Sequence, residues 1–279
     1  MRRMCELAGV SRAGFYRFSP KEKGKRDMEL REAMQRIALE FPSYGWRRMT
    51  AELKRRGWAV NHKGVYRLMC EDNLLCLRKR KFIVTSDSNH SFPVYPSLAA
   101  SVKPTGVNQL WVADITYIRL QLEFVFLAVI LDAFSRRAVG WALGRTLETQ
   151  LTLAALQMAL QQRQPTPGLV HHSDRGVQYA SKDYVGVLKK HDIDISMSRK
   201  ASPWENGGCE SWMKTLKYDE VFRQEYRDLR EARTCLGRFI EKVYNQQRLH
   251  SALGYVPPAE FEQALVVQKH AGAAACHSS

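Results

Sequence analysis

Three β-rich runs follow one another between Gln109 and Leu143: QLWVADITYIRL, EFVFLAVILDA and RRAVGWAL. Only a few residues separate them, so neighbouring runs pair as antiparallel hairpins; a parallel crossover needs a dozen residues or more. The middle run is apolar throughout, the pattern of a strand covered on both faces. TLETQLTLAALQMALQQR then has helical periodicity, with Leu151, Ala155, Met158 and Ala159 inside, Thr146 or Glu148 near its start and Pro165 beyond its end. GLVHHSD predicts a short strand, SKDYVGVLKKH a helix, IDISMS a strand, and residues 204–223 and 228–246 two more helices. Antiparallel strands followed by strand–helix alternation make an α/β fold: a mixed sheet with helices on its faces.

One residue in these strands is out of place. Asp114, in WVADITY, interrupts an apolar run. Buried unpaired, a carboxylate costs several kcal/mol, so a cation must face it unless it lies on a solvent-facing edge strand. Asp174, in HHSDRGVQYAS, ends a predicted strand and opens a turn through Arg175-Gly176; it is either an Asx-turn residue or part of a site. Asp132, in LDAFSRR, has a similar strand-end position and reads as a turn residue. The third acid is Glu210, within KASPWENGGCESWMKTLK, residues 200–217. Ser202, Pro203 and Glu205 fit a helix N-terminus with a capping box. Gly207-Gly208 then weakens the helix by about 1 kcal/mol per glycine relative to alanine, which predicts an irregular stretch. Glu210, Lys214 and Lys217 follow at i, i+4 and i+7 on one helix face, with Trp212 and Leu216 turned into the core. A surface ion pair between Glu210 and Lys214, worth about 0.3–0.5 kcal/mol, accounts for that face but not for the other two acids. Asp174 stands 60 positions after Asp114, and 35 residues lie between Asp174 and Glu210. Two Asp and one Glu on separate apolar elements suggest a site for divalent metal.

The charge is placed unevenly. Of a formal +15 over 279 residues, residues 1–81 carry 21 Lys+Arg against 9 Asp+Glu, leaving only +3 to the rest. A basic first third points to nucleic acid as its partner. Residues 1–18 read as the end of a small helical unit with Ser11 as an N-cap, and residues 25–41 as a helix. In FPSYGWRRMTAELKRRGWAVNHKGVYRLM, Trp46, Met49 and Leu53 recur at helical spacing and Gly57 ends that helix. Asn61 caps a second helix with Val65, Leu68 and Met69 on one side. This fits a helix-turn-helix, with Lys63 and Arg67 facing a groove and Arg47, Arg48, Lys54, Arg55 and Arg56 facing phosphates. An ordinary helical hairpin with a basic exterior is the alternative. The expected organisation is a basic helical region over 1–84, a Pro- and Ser-containing linker over 85–107, a catalytic core over 108–262 and a disordered tail over 263–279. Six scattered cysteines form no C-x-x-C pair, as expected of reduced cytosolic thiols. No apolar run has signal-peptide or bilayer-spanning length, so a soluble, cytoplasmic, nucleoid-associated protein without a membrane partner is expected.

The three acidic motifs resemble those of transposases of the insertion-sequence-three family. YNQQRLHSALGYVPPAEF (Tyr244–Phe261) is similar to that family's C-terminal signature, and SYGWRRMTAEL with VNHKGVYRLM to its helix-turn-helix segment. ENGG and Val177 depart from the commoner wording without touching the acids. The resemblance implies a retroviral-integrase-like core with the ribonuclease-H-like fold: a five-stranded mixed sheet with helices on both faces, behind a small all-α region. It implies that Asp114, Asp174 and Glu210 hold two Mg²⁺ or Mn²⁺ ions for cleavage at insertion-sequence ends and strand transfer. Lys214 and Lys217 match DNA-contacting positions, with Arg199 and Lys200 on the same surface. The implied partners are terminal inverted repeats, target DNA, further copies of the chain in a synaptic complex, and an upstream-frame companion or frameshift fusion. A nuclease that cuts without joining and a repressor with a vestigial core are the alternatives.

Overall fold

The computed structural model describes residues 4–5, 9, 11, 20–74, 93–99, 101–199 and 203–276. Most of the expected N-terminal helical unit, the LRKRKF run and Lys200–Ser202 lie outside them. The chain divides into two compact units, residues 1–79 and 80–279.

The first unit contains helices α1 (Pro20–Glu40), α2 (Trp46–Arg55) and α3 (His62–Glu71). Met34 and Ile37 of α1, Met49 and Leu53 of α2, and Val65, Leu68 and Met69 of α3 are buried, so the apolar stripes read from the sequence form the core. Gly57 ends α2 at φ +86°, where an L side chain would be strained. The amides of Gly57 and Trp58 donate to Lys54 and Leu53 carbonyls, a Schellman stop. Asn61 caps α3, its Oδ1 accepting from the Lys63 amide at 2.9 Å. Arg31 ties α1 to the end of α3 through Glu71 and Asp72.

The second unit is built on a five-stranded sheet in the order β3-β2-β1-β4-β5. Its strands are β1 (Leu110–Arg119), β2 (Phe124–Asp132), β3 (Ala138–Gly144), β4 (Val170–Ser173) and β5 (Asp194–Met197). The first three pair antiparallel, and β4 runs parallel to both β1 and β5. Along β2 the side chains alternate between two cores. Val125, Leu127, Val129 and Leu131 face one cluster, Ala128 and Ile130 the other. The second face is covered by α4 (Thr149–Arg163), the short α5 (Val177–Ala180) and α6 (Lys182–Lys190). A Cβ on Gly140 would lie 2.2 Å from the Ala155 carbonyl oxygen, so α4 rests directly on the β3 backbone and only glycine fits. The first face is covered by α7 (Gly207–Asp219), α8 (Leu229–Arg238) and a π-helical segment, Phe239–Gln247.

Three expectations are corrected. Each of the two predicted C-terminal helices is broken: a 3₁₀ turn (Pro203–Asn206) precedes α7, and α8 changes to π winding at Phe239. Residues 263–276, expected as disordered tail, continue helix α9 (Pro258–Cys276), whose alanine-rich, proline-free interior favours helix. Part of the compositional linker lies against the catalytic unit, since the Leu98 and Ala99 amides donate to the buried Ser196 hydroxyl at 2.8 and 3.2 Å.

Beside that hydroxyl, β4 carries two buried histidines. His171 meets the Tyr184 hydroxyl at 2.9 Å, and burial lowers its pKa from 6.5 to about 3. The unfolded chain therefore takes up a proton near pH 6.5 that the folded chain refuses. Stability falls as pH drops through that window, by about 1.4 kcal/mol per unit for this group. His171→Gln, which keeps a partner for Tyr184, should flatten that dependence when urea midpoints are compared between pH 7 and pH 5.

Candidate active site

The pairing register brings two of the acids together. Parallel pairing of β1 with β4 stops at Val112 opposite His172. Asp114 and Asp174 each stand two residues beyond that pair, Asp114 in the middle of β1 and Asp174 just past the carboxyl end of β4. The carboxyl end of a parallel strand is where open α/β sheets receive ligands. Asp114 continues the row of Leu110 and Val112, whose side chains pack on the face covered by α7. Its Oδ1 accepts from the Ile115 amide at 2.8 Å. Asp174 Oδ1 accepts from the Gly176 amide at 2.9 Å, so the Asx turn is present and coexists with a place beside Asp114.

Helix α7 supplies the third acid. Asn206, at its start, donates from Nδ2 to the Ala113 carbonyl at 3.1 Å and ties the helix to the residue preceding Asp114. A Cβ on Gly208 would meet Val112 Cγ2 at an ordinary 3.7 Å, and one on Gly207 would meet nothing, so the start of α7 packs near β1 without requiring either glycine. The irregularity expected at Gly207-Gly208 is absent: both glycines are α-helical, and the 3₁₀ turn Pro203–Asn206 ends just before them. Glu205 does not close a capping box. Its carboxylate accepts from the Arg199 amide, Arg199 Nε and the Ser97 hydroxyl. Trp212 and Leu216 are buried, as the helix face predicted.

The acids interact electrostatically. Burial, then Asp174, then Glu210 push the Asp114 carboxyl up to about 7, against the opposing Ile115 amide and Lys217. Burial, followed by Asp114 and Asp174, raises the Cys209 thiol. Burial also raises the Tyr179 hydroxyl, with Tyr184, Asp174 and Asp114 adding to it. The Tyr179 hydroxyl and Asn206 Oδ1 are buried without a hydrogen-bond partner among the described residues. Neither Tyr179, Asn206 nor Cys209 stood out in the sequence, because a Tyr or Cys on an apolar face and an Asn at a helix start are each ordinary. An all-oxygen donor set around a carboxyl short of positive charge suits a hard divalent cation. Yet no three His, Cys, Asp or Glu among the described residues close to metal-holding spacing. Glu210 is instead exposed and pairs with Lys214 at 3.7 Å, the surface ion pair weighed above.

The basic candidates are distributed differently from their sequence pattern. Lys217 is half-buried, its Nζ 4.7 Å from the Tyr117 ring centroid, while Lys214 is exposed. Arg199 is exposed but bound to Glu205 at 2.6 Å. Lys200 lies outside the described residues. In the first unit Lys63 and Arg67 are exposed on α3, with Arg67 3.6 Å from Glu71. Arg47 and Arg48 stack over Trp46 and Tyr44. Arg56, expected at phosphates, is held by Glu40 and Glu52.

A family model described as an integrase core domain matches residues 104–203, and a second of the same description matches 191–258. A model described as an HTH-like domain matches residues 25–82. The "Insertion element IS600 uncharacterized 31 kDa protein" of Shigella sonnei is 38% identical over 269 residues, 93% of this chain and 97% of that protein. The transposase InsF for insertion sequence IS3A of Escherichia coli (strain K12) is 32% identical over 266 residues, covering 93% of this chain and 92% of that one. The chain belongs to the IS3 family of insertion-sequence transposases. As an IS3-family transposase it is a DDE-type polynucleotidyl transferase whose sequence carries an HTH-like region followed by an integrase core domain, and it acts in DNA transposition. The transposase is also similar to the catalytic core domain of BIV integrase (TM-score 0.45, 16% identity, 58% of this chain and 99% of that chain). No helix among its described residues is long and apolar enough to cross a membrane.

Proposed function

We propose that Asp114, Asp174 and Glu210 are the catalytic carboxylates of this transposase and that they hold two Mg²⁺ or Mn²⁺ ions. The observation that carries the reading is the register of β1 and β4, with Asp114 and Asp174 side by side and the Asp114 carboxyl raised to about 7 by burial and by the other two acids. Ions bound there supply activation of the attacking oxygen and stabilisation of the leaving 3′ oxygen in an in-line phosphoryl transfer. Asp114 and Asp174 are fixed by backbone amides, whereas Glu210 must leave Lys214 to join them. Burial raises both the Cys209 thiol and the Tyr179 hydroxyl, which disfavours either as a nucleophile. In this reading the attacking oxygen is water at donor-end cleavage and a DNA 3′-hydroxyl at strand transfer.

Lys214, Lys217, Arg199 and Lys200 are the DNA contacts of the catalytic unit in this reading, and Arg47, Arg48, Lys63 and Arg67 serve the helix-turn-helix. Joining two ends at once requires further copies of the chain in a synaptic complex. Product analysis on paired terminal duplexes with Mg²⁺ tests the reading: joined strands support it, and cut ends without joined strands identify a nuclease. The basic region has its own test. Residues 1–84 should bind terminal DNA, with an affinity that falls by orders of magnitude between 50 and 200 mM salt. A gel-shift titration indifferent to salt and sequence removes the helix-turn-helix assignment.

A further inference from the structure

The nine-residue π-helical segment Phe239–Gln247 is the most unusual backbone in the second unit. Such winding is rare, occurs mostly as single turns, and concentrates at functional sites. Nothing in the reaction proposed above uses it. Of its polar side chains Tyr244 and Asn245 are buried, while Glu241, Lys242, Gln246 and Gln247 are exposed. Asn245 is buried and makes two bonds to one residue, accepting from the Ala138 amide at 3.0 Å and donating to the Ala138 carbonyl at 2.9 Å. That locks the segment to the start of β3, where the β2–β3 register shifts. The Tyr244 hydroxyl donates to the Arg136 carbonyl at 3.1 Å, and Arg136 is held at φ +62° in the preceding turn.

The same buried side also meets α7. The Tyr244 ring stands edge-on to Trp212, with centroids 5.7 Å apart. Arg248, which ends the segment and is only 4% exposed, donates from Nε to Asp219 at 2.9 Å, at the last residue of α7. The first turn of α7 is tied to β1 by Asn206. The helix carrying Glu210 is thus fixed at its start, middle and end, although Glu210 itself is exposed.

We propose that the π-helical segment, with Arg248 at its end, is a brace that positions the Glu210 helix over the Asp114–Asp174 pair. This rests on Glu210 being a catalytic carboxylate. Tyr244 and Arg248 are positioning residues that act through Trp212 and Asp219.

The test uses the full chain with Arg248→Lys and Tyr244→Phe. The first keeps the charge but loses the planar fork. The second removes only the hydroxyl. Each should bind a labelled duplex copied from the element's end with wild-type affinity and unchanged KM. Each should lower the turnover number for Mg²⁺-dependent joining by about 10-fold, the range expected when a ligand's support is loosened. Hydrogen exchange should quicken in residues 207–219 and stay unchanged in β1 to β3. If Arg248→Lys does not fold, Tyr244→Phe decides. A folded variant with wild-type turnover, or exchange that quickens equally across the sheet, overturns the brace. Glu210→Gln run alongside separates the two claims. If it joins DNA normally, the catalytic reading falls and the brace with it. If it is inert while both brace variants are normal, the brace alone falls.

Discussion

Replacing Asp114 with Asn should give a transposase that melts at a higher temperature than the wild type and joins no DNA. The Asp114 carboxyl moves from 3.8 to about 7 on folding, first through burial and then through Asp174 and Glu210. The unfolded chain releases this proton near pH 4, and the folded chain keeps it until near pH 7. Within that window the folded state binds more protons, so stability falls as pH rises. The full effect, at most about 4 kcal/mol, is present above pH 7. Asn has no charge to desolvate, so the gain in melting temperature should be largest near pH 8 and vanish toward pH 4. Joining should fall more than about 100-fold, beyond the loss typical of outer-shell partners. Added Mg²⁺ should stabilise the wild type and leave the variant unmoved. A variant less stable than the wild type at pH 8 contradicts the electrostatic reading of the site.

The largest structural effect is expected at Arg163. Its guanidinium donates to Glu262 of α9 at 2.9 Å and to Asn108 at 3.2 Å, and stands 3.8 Å from the fully buried Asp132. Arg137 closes the network on Glu262 at 2.7 Å. Arg163→Met removes the cation that Asp132 and Glu262 share inside the fold. Breaking a buried pair from one side costs about 3–5 kcal/mol, because the remaining charge stays desolvated. Urea unfolding of the catalytic unit should show a loss of that size, and a loss below about 1 kcal/mol means that solvent or Arg137 replaces the lost partner.

The same residues mark where the sequence was legible. Alternating apolar runs and short connections were enough to place β1, β2 and β3, because two-residue periodicity and hairpin length leave one simple pairing. The acids could be picked out because a carboxyl in an apolar strand and another at a strand end are costly wherever they lie. Their proximity depends on the β1–β4 register, a long-range property with no local signal. Asp132 read correctly as a turn residue: its carboxylate accepts from the Asn108, Phe134 and Ser135 amides. Its tie to Arg163, and through Arg163 to Glu262 99 residues further on, left no pattern. The π winding after Phe239 was equally hidden, since apolar spacing there fits an α-helix and only the docking of Asn245 on Ala138 favours the wider turn. Spacing put Lys217 on the face of Glu210, and its DNA contact came from the family resemblance; its place over the Tyr117 ring, 4.7 Å from the centroid, had no local signal.

The measurement closest to the central claim compares wild type and Glu210→Gln in one assay, with Mg²⁺, paired terminal duplexes and a supercoiled target. The account predicts that both bind the terminal duplex equally, that the wild type gives joined strands, and that Glu210→Gln gives none. Joined strands from Glu210→Gln at near wild-type yield would contradict it, and the exposed pair with Lys214 would then be all that Glu210 contributes.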